Sequence, residues 1–182
     1  MSKDHNILIE RCKKGDEKAM MQIYDLYSGA MFQISCRYLR TEEAKDAMQE
    51  SFIKAFSKIE NYQPDFTFGA WLKRIVINQC IDELKKKRFE FIETDVANLH
   101  IENDDDDWMF SSEISKQQIL DAVETLDKKY QIVVKLYLIE GYDHKEISNI
   151  LNIPVKTSRT HLRRGKLKLQ ELLKKHYNEK RY

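Results

Sequence analysis

The chain has 182 residues, 42% of them hydrophobic and 34% charged, with a formal net charge of +1. This is enough apolar material for one ordinary core or two small ones, and no run approaches the roughly 20 apolar residues that span a membrane. With only 5 Gly and 2 Pro, chain breakers are too few for a turn-rich β fold, and helices are expected throughout.

A first helix is predicted over about Asn6 to Lys14, stopped by Gly15, with Asp16 restarting the chain as an N-cap. Met20, Ile23, Tyr27, Met31, Ile34 and Tyr38 then recur every three or four residues and describe one buried stripe. Thr41 is expected to cap a third helix with Ala44, Ala47, Met48, Phe52, Ala55, Phe56 and Ile59 on its apolar side. The period fails from Asn61 to Phe68, where Pro64 forbids a helix. A strong helix follows over about Gly69 to Arg88, closing a first bundle within residues 1–92.

Residues 93–112 read as a flexible linker. From Glu93 to Asp107 there are seven acids and no Lys or Arg, and such a like-charge block repels itself. A second bundle is expected over residues 113–182. Ser115 with Gln118 has capping-box spacing, ahead of a stripe of Ile119, Val123 and Leu126. Ile132, Val133, Leu136 and Tyr137 form the next stripe, on a helix ending at Gly141. Asp143 with Glu146 repeats the capping-box spacing before Ile147, Ile150 and Leu151. After Asn152-Ile153-Pro154, a basic helix runs to about His176. The expected fold is all-α: two small helical bundles joined by an acidic linker, the second containing a helix-turn-helix.

That motif spans Asp143 to Lys168. Its turn needs a residue tolerant of left-handed backbone angles, which Asn152 is; Ile153 can plug the space between the helices, and Pro154 suits a helix start. From Pro154 to Tyr182 ten Lys or Arg stand against two Glu. Leu162, Leu169 and Leu172 lie along one side, while Lys156, Arg159, Thr160, Arg163, Arg164 and Lys168 cover the rest. Such a helix fits the major groove; the plainer alternative is a solvated basic helix.

In the first bundle Trp71, Arg74, Asn78 and Lys85 share a helix face, and Leu72, Val76, Cys80 and Leu84 make the core stripe. An indole beside Arg and Asn, near the run Lys85-Lys86-Lys87-Arg88, suits unpaired nucleic acid. The alternative is that Trp71 is core and the rest solvated. Cys12, Cys36 and Cys80 are far apart and sit among apolar residues, so each is expected to be a buried thiol. The five His are scattered, and neither a phosphate loop nor a nucleophile–base set is legible, so no enzyme, metal or cofactor is expected. No signal peptide is visible, which points to the cytoplasm.

Three segments carry a family resemblance. Phe68-Gly-Ala-Trp71-Leu72-Lys-Arg74-Ile75, through Asn78 and Asp82 to Arg88, resembles the promoter-melting region of extracytoplasmic-function (ECF) sigma factors. Asp46-Ala47-Met48-Gln49-Glu50-Ser51-Phe52 resembles that family's polymerase-binding helix. Gly141 to Ser148, through Leu162-Arg163-Arg164, resembles its C-terminal helix-turn-helix. The three occur in order and span nearly the whole chain.

The resemblance implies a non-catalytic initiation subunit that binds core RNA polymerase, at the clamp helices of its largest subunit and at its flap, and directs it to promoters. Asp46, Gln49 and Glu50 match the clamp-binding surface. Gln63, Asp65, Phe66, Phe68, Trp71, Arg74, Asn78, Lys85 and Arg88 match the part that reads and opens the minus-ten element. Phe66 and Phe68 would wall a pocket for a flipped base, or Phe66 would plug the bundle. Lys156, Thr157, Arg159, Thr160, His161, Arg163 and Arg164 match the reader of the minus-thirty-five element. His161 stands where Arg or Gln is expected, and the base it reads stays open. The family implies an anti-sigma partner. The acidic linker would mimic nucleic acid in the RNA exit path, or merely separate the domains. A competing reading, a helix-turn-helix regulator that binds duplex DNA alone, accounts for the second bundle but leaves the Trp71 face and the Asp46 helix unexplained.

Overall fold

In a computed structural model of the chain, which describes residues 3–64, 67–87 and 114–179, every regular element among the described residues is helical. Asp65, Phe66, Arg88 and the acidic linker at 93–112 lie outside the described residues. The chain divides into two compact units, Met1–Arg88 and Phe89–Tyr182.

The first unit holds α1 (Lys3–Lys13), α2 (Glu17–Ser35), α3 (Thr41–Ser57), a single 3₁₀ turn at Ile59–Asn61, and α4 (Phe68–Lys86). Gly15 takes φ +80°, the left-handed conformation that stops α1. The Asp16 carboxylate then accepts from Ala19 N–H at 3.1 Å and caps α2. Thr41 is not the cap of α3. The flanking residue is Arg40, whose side chain makes no capping bond, and Thr41 is the first helical residue. At α4 it is Thr67 that caps, accepting from Ala70 N–H at 3.2 Å, and the helix starts at Phe68. That early start extends the buried stripe to Phe68, Leu72, Val76, Cys80 and Leu84, all between 0% and 6% exposed.

Cys12 and Cys80 are buried thiols, and burial pushes Cys80 up to about 11. Cys36 departs from expectation: it lies just past the end of α2, where the chain turns, and is exposed.

The second unit holds α5 (Lys116–Glu124), α6 (Lys128–Val134), a π-helical segment (Lys135–Ile139), α7 (His144–Leu151) and α8 (Val155–Glu179). Both capping boxes form, Ser115 with Gln118 and Asp143 with Glu146. Gln131, 2% exposed, donates to the Val123 and Glu124 carbonyls at 3.0 and 2.9 Å, adding side-chain bonds to the carbonyls at the end of α5. The π segment is signed by Glu140 N–H bonding Lys135 C=O five residues back, at 3.0 Å. The extra residue turns Tyr137 out of the core stripe, so that Tyr137, Leu138 and Ile139 are 36%, 46% and 36% exposed.

Asn152 adopts φ 56°, ψ 47° and is the only described non-glycine residue with positive φ. Ile153 behind it is 3% exposed and fills the space between α7 and α8. The inner face of α8 is Ser158, His161, Leu162, Gly165, Leu169 and Leu173. The third leucine of that face is thus Leu173, while Leu172 is half-buried, because a 25-residue helix at 3.6 residues per turn drifts off a strict heptad. At Gly165 a Cβ would lie 2.6 Å from Val134 Cγ2 and 3.3 Å from Tyr130 Cβ, so α8 touches α6 almost backbone to side chain.

Asn152→Gly is expected to leave the unfolding free energy unchanged within about 0.5 kcal/mol. Asn152→Val, with a branched Cβ in the left-handed region, should cost roughly 1–2 kcal/mol or more, read by denaturant titration.

Candidate nucleic-acid interface

The stripe on α4 dictates what its other faces do. With every fourth residue from Phe68 to Leu84 buried, Arg74 and Asn78 are left exposed, and Trp71 and Lys85 half-buried. Trp71 is therefore neither core nor loose. Its ring packs against Phe68 and Tyr62 with centroids 5.4 and 5.5 Å away, leaving part of the indole to solvent beside Arg74. Exposed Gln63 precedes the helix.

Phe68 is a correction. Its exposure is 0%, and its ring is boxed by Tyr27, Tyr62 and His5 at 5.5, 5.3 and 6.0 Å. It cannot wall an open base pocket. It is core, worth about 1.5–3 kcal/mol of burial, and the base on which Trp71 rests. The box is tight, since a Cβ on Gly69 would come within 3.0 Å of the Tyr27 ring.

Asp46, Gln49 and Glu50 are all exposed on α3. Asp46 and Glu50 border a crevice between α3 and α4, lined also by Glu43, Ala47, Gln79, Glu83 and Lys87. Most of its charged groups are acidic. The Lys87 ammonium paired with Glu43 holds that carboxyl below the usual carboxylate range. One turn along α3 from these acids, Ile53 is 64% exposed. Ile53 was legible as an apolar residue off the stripe of α3; Gln79, a polar residue on the buried side of α4, was not.

On α8, Lys156, Arg159 and Arg163 are exposed, and Thr157, Thr160 and Arg164 half-buried. The Thr160 hydroxyl already donates to Lys156 C=O at 3.0 Å. Lys168 is drawn aside to Asp127 at 2.5 Å. His161 is a second correction: it is 4% exposed and meets the Tyr130 ring edge-on at 5.5 Å. It lies three residues from Ser158 and four from Gly165, on the face that packs on α6, so it reads no base from there.

A histidine the sequence did not single out lies nearer the exposed cations. His144, at the start of α7, has its Nδ1 2.9 Å from Ser158 Oγ and its ring stacked on Tyr137 at 4.8 Å. Burial first, then the Arg159 charge, push its pKa below the ordinary histidine value, so it is neutral at pH 7. It ties the first helix of the motif to the second. No helix among the described residues is long and apolar enough to cross a membrane.

Residues 23–90 match the Sigma-70 region 2 family, and residues 116–169 match Sigma-70, region 4. The chain is 34% identical over 178 residues to the ECF RNA polymerase sigma factor SigW of Bacillus subtilis, covering 91% of this chain and 95% of that protein. It is 27% identical over 171 residues to the ECF RNA polymerase sigma-E factor of Escherichia coli K12, covering 88% and 89%. Among solved structures, the sigma factor RpoE in complex with the anti-sigma factor NepR from Bartonella quintana has the same fold, with TM-score 0.54 and 20% identity over 86% of this chain and 98% of that one. By its two matched regions and its full-length relatives, the chain is a member of the ECF sigma factors of bacterial RNA polymerase.

Proposed function

We propose that this sigma factor acts in the cytoplasm as a non-catalytic subunit, dividing its work among three surfaces. The exposed acids of α3, Asp46 and Glu50 with Gln49 between them, dock on the basic clamp helices of core polymerase; this contact is long-range and weakens with salt. The α4 face of Trp71, Arg74 and Asn78, with Gln63, Lys85 and the neighbouring Asp65, Phe66 and Arg88, holds the unpaired minus-ten strand. The ring stacks, the amide reads a base edge and the cations hold phosphates. The α8 face of Lys156, Thr157, Arg159, Thr160, Arg163 and Arg164 enters the major groove at the minus-thirty-five element. The exposed run Tyr137, Leu138, Ile139 offers the polymerase flap an apolar hold.

The observation that carries this reading is the division of α4. One side is fully buried and the adjoining side sets a supported, part-open indole beside an exposed Arg and Asn. Opening then needs no chemistry from the chain. Holding splayed bases more tightly than paired ones shifts the duplex equilibrium, while polymerase supplies catalysis. An anti-sigma protein, such as RpoE of Bartonella quintana has in NepR, would regulate it by competing for these surfaces.

The chain reconstituted with core polymerase is expected to give promoter-specific run-off transcripts from sequences recovered by selection with that holoenzyme. A chain that binds its site alone and yields no transcript would be a duplex-binding regulator instead. Arg159→Ala and Arg163→Ala should each weaken promoter binding by roughly 1–3 kcal/mol for every base the side chain reads, measured by competition with minus-thirty-five mutants. Trp71→Ala with Asn78→Ala should lower permanganate reactivity of minus-ten thymines several-fold while leaving polymerase affinity near wild type; footprints equal to wild type would contradict the assignment.

A further inference from the structure

One amide on α4 has no part in the reading of nucleic acid given above. Gln79 is 5% exposed, with Val76, Ile77, Cys80 and Ile81, each at 0%, around it on the helix. An amide there is a poor source of cohesion, because it adds a desolvation cost that an apolar side chain of the same size avoids. What it adds is direction. Lys54 Nζ on α3 donates to its Oε1 at 2.5 Å, and its own Nε2 donates to Glu83 Oε1 at 3.0 Å, one turn along α4. Glu83 is held in turn by Lys86 Nζ at 2.7 Å. A second tie, Lys87 to Glu43, joins the same two helices. Gln79 and Glu83 line the crevice that Asp46 and Glu50 also border.

We propose that Gln79 is a positioning residue for promoter opening. The Lys54–Gln79–Glu83 chain fixes the rotation of α4 on α3, so that Asn78 and Arg74 meet the unpaired strand while Asp46 and Glu50 meet polymerase. This rests on the function proposed above. Gln79 and Asn78 are successive residues, ~100° apart around the helix axis, so whatever sets one sets the other. A rotation of α4 by ~20° carries an amide lying ~6 Å from the axis through ~2 Å, more than a hydrogen bond tolerates. The apolar stripe sets which way α4 faces only coarsely, because burial is non-directional. A bond between named atoms on two helices sets it finely.

The test uses the full chain with core polymerase on a selected promoter, and reads two quantities: affinity for core enzyme, and the fraction of promoter opened, by permanganate reactivity. Gln79→Leu and Lys54→Met should each leave core affinity within about twofold and lower opening by about fivefold or more. The double variant should open no worse than Gln79→Leu alone, because that variant already removes the Lys54–Gln79 bond. Lys54 is exposed, so Lys54→Met folds even if a leucine at 79 disturbs the core. Wild-type opening in both variants overturns the proposal. So do losses of affinity and opening in equal proportion, or additive defects in the double variant. A wild-type holoenzyme that opens no promoter fails the function reading itself, a result distinct from all of these.

Discussion

The buried stripe of α4 is the constraint from which the rest of the first unit follows. Phe68, Leu72, Val76, Cys80 and Leu84 are each four residues apart, and their burial sets which way the helix faces. Once that is set, Arg74 and Asn78 must look outward, Trp71 must lie at the boundary, and Gln79 must turn towards α3. A helix has only about three such faces, and α4 uses all of them: one for cohesion, one turned to solvent with Arg74 and Asn78, and one for the helix beside it.

The second unit meets a similar demand by a different device. Its two motif helices must cross steeply, and the chain achieves this with one left-handed residue, Asn152, rather than with a glycine. The side chains behind the turn then lock it. Ile153 fills the gap, and His144 spans from the start of α7 to the buried hydroxyl of Ser158 on α8. With the inner face of α8 thus occupied, the cations have no other direction to take, and in the first half of α8 the fully exposed ones are Lys156, Arg159 and Arg163.

Short-range features were legible in the sequence. Asp16, Ser115 with Gln118, Asp143 with Glu146, and Asn152 each act on neighbours within four residues, so their spacing alone reveals them. The outward face of α4 was legible because periodicity fixes relative direction along one helix. The misreadings mostly involve partners far away in the chain. Phe68 resembles a pocket wall until Tyr27 and Tyr62 close round it. His161 resembles a base reader until Tyr130 meets its ring. Tyr137 leaves the core because a π segment inserts one extra residue, and such a segment is selected by packing rather than by local preference. Thr41 missed its cap by a single position, with Arg40 standing at the boundary instead. Asp65, Phe66, Arg88 and the acidic linker fall outside the described residues.

The close approach at Gly165 bears on how this chain can change over generations. A methyl added there would overlap Val134 and press on Tyr130, so position 165 is not free to drift by itself. A larger residue at 165 needs a smaller one at 134, or else it lifts α8 from its bed and re-aims the cations that α8 carries. The two positions, 31 residues apart in the chain, therefore limit each other's size through a single contact between α8 and α6.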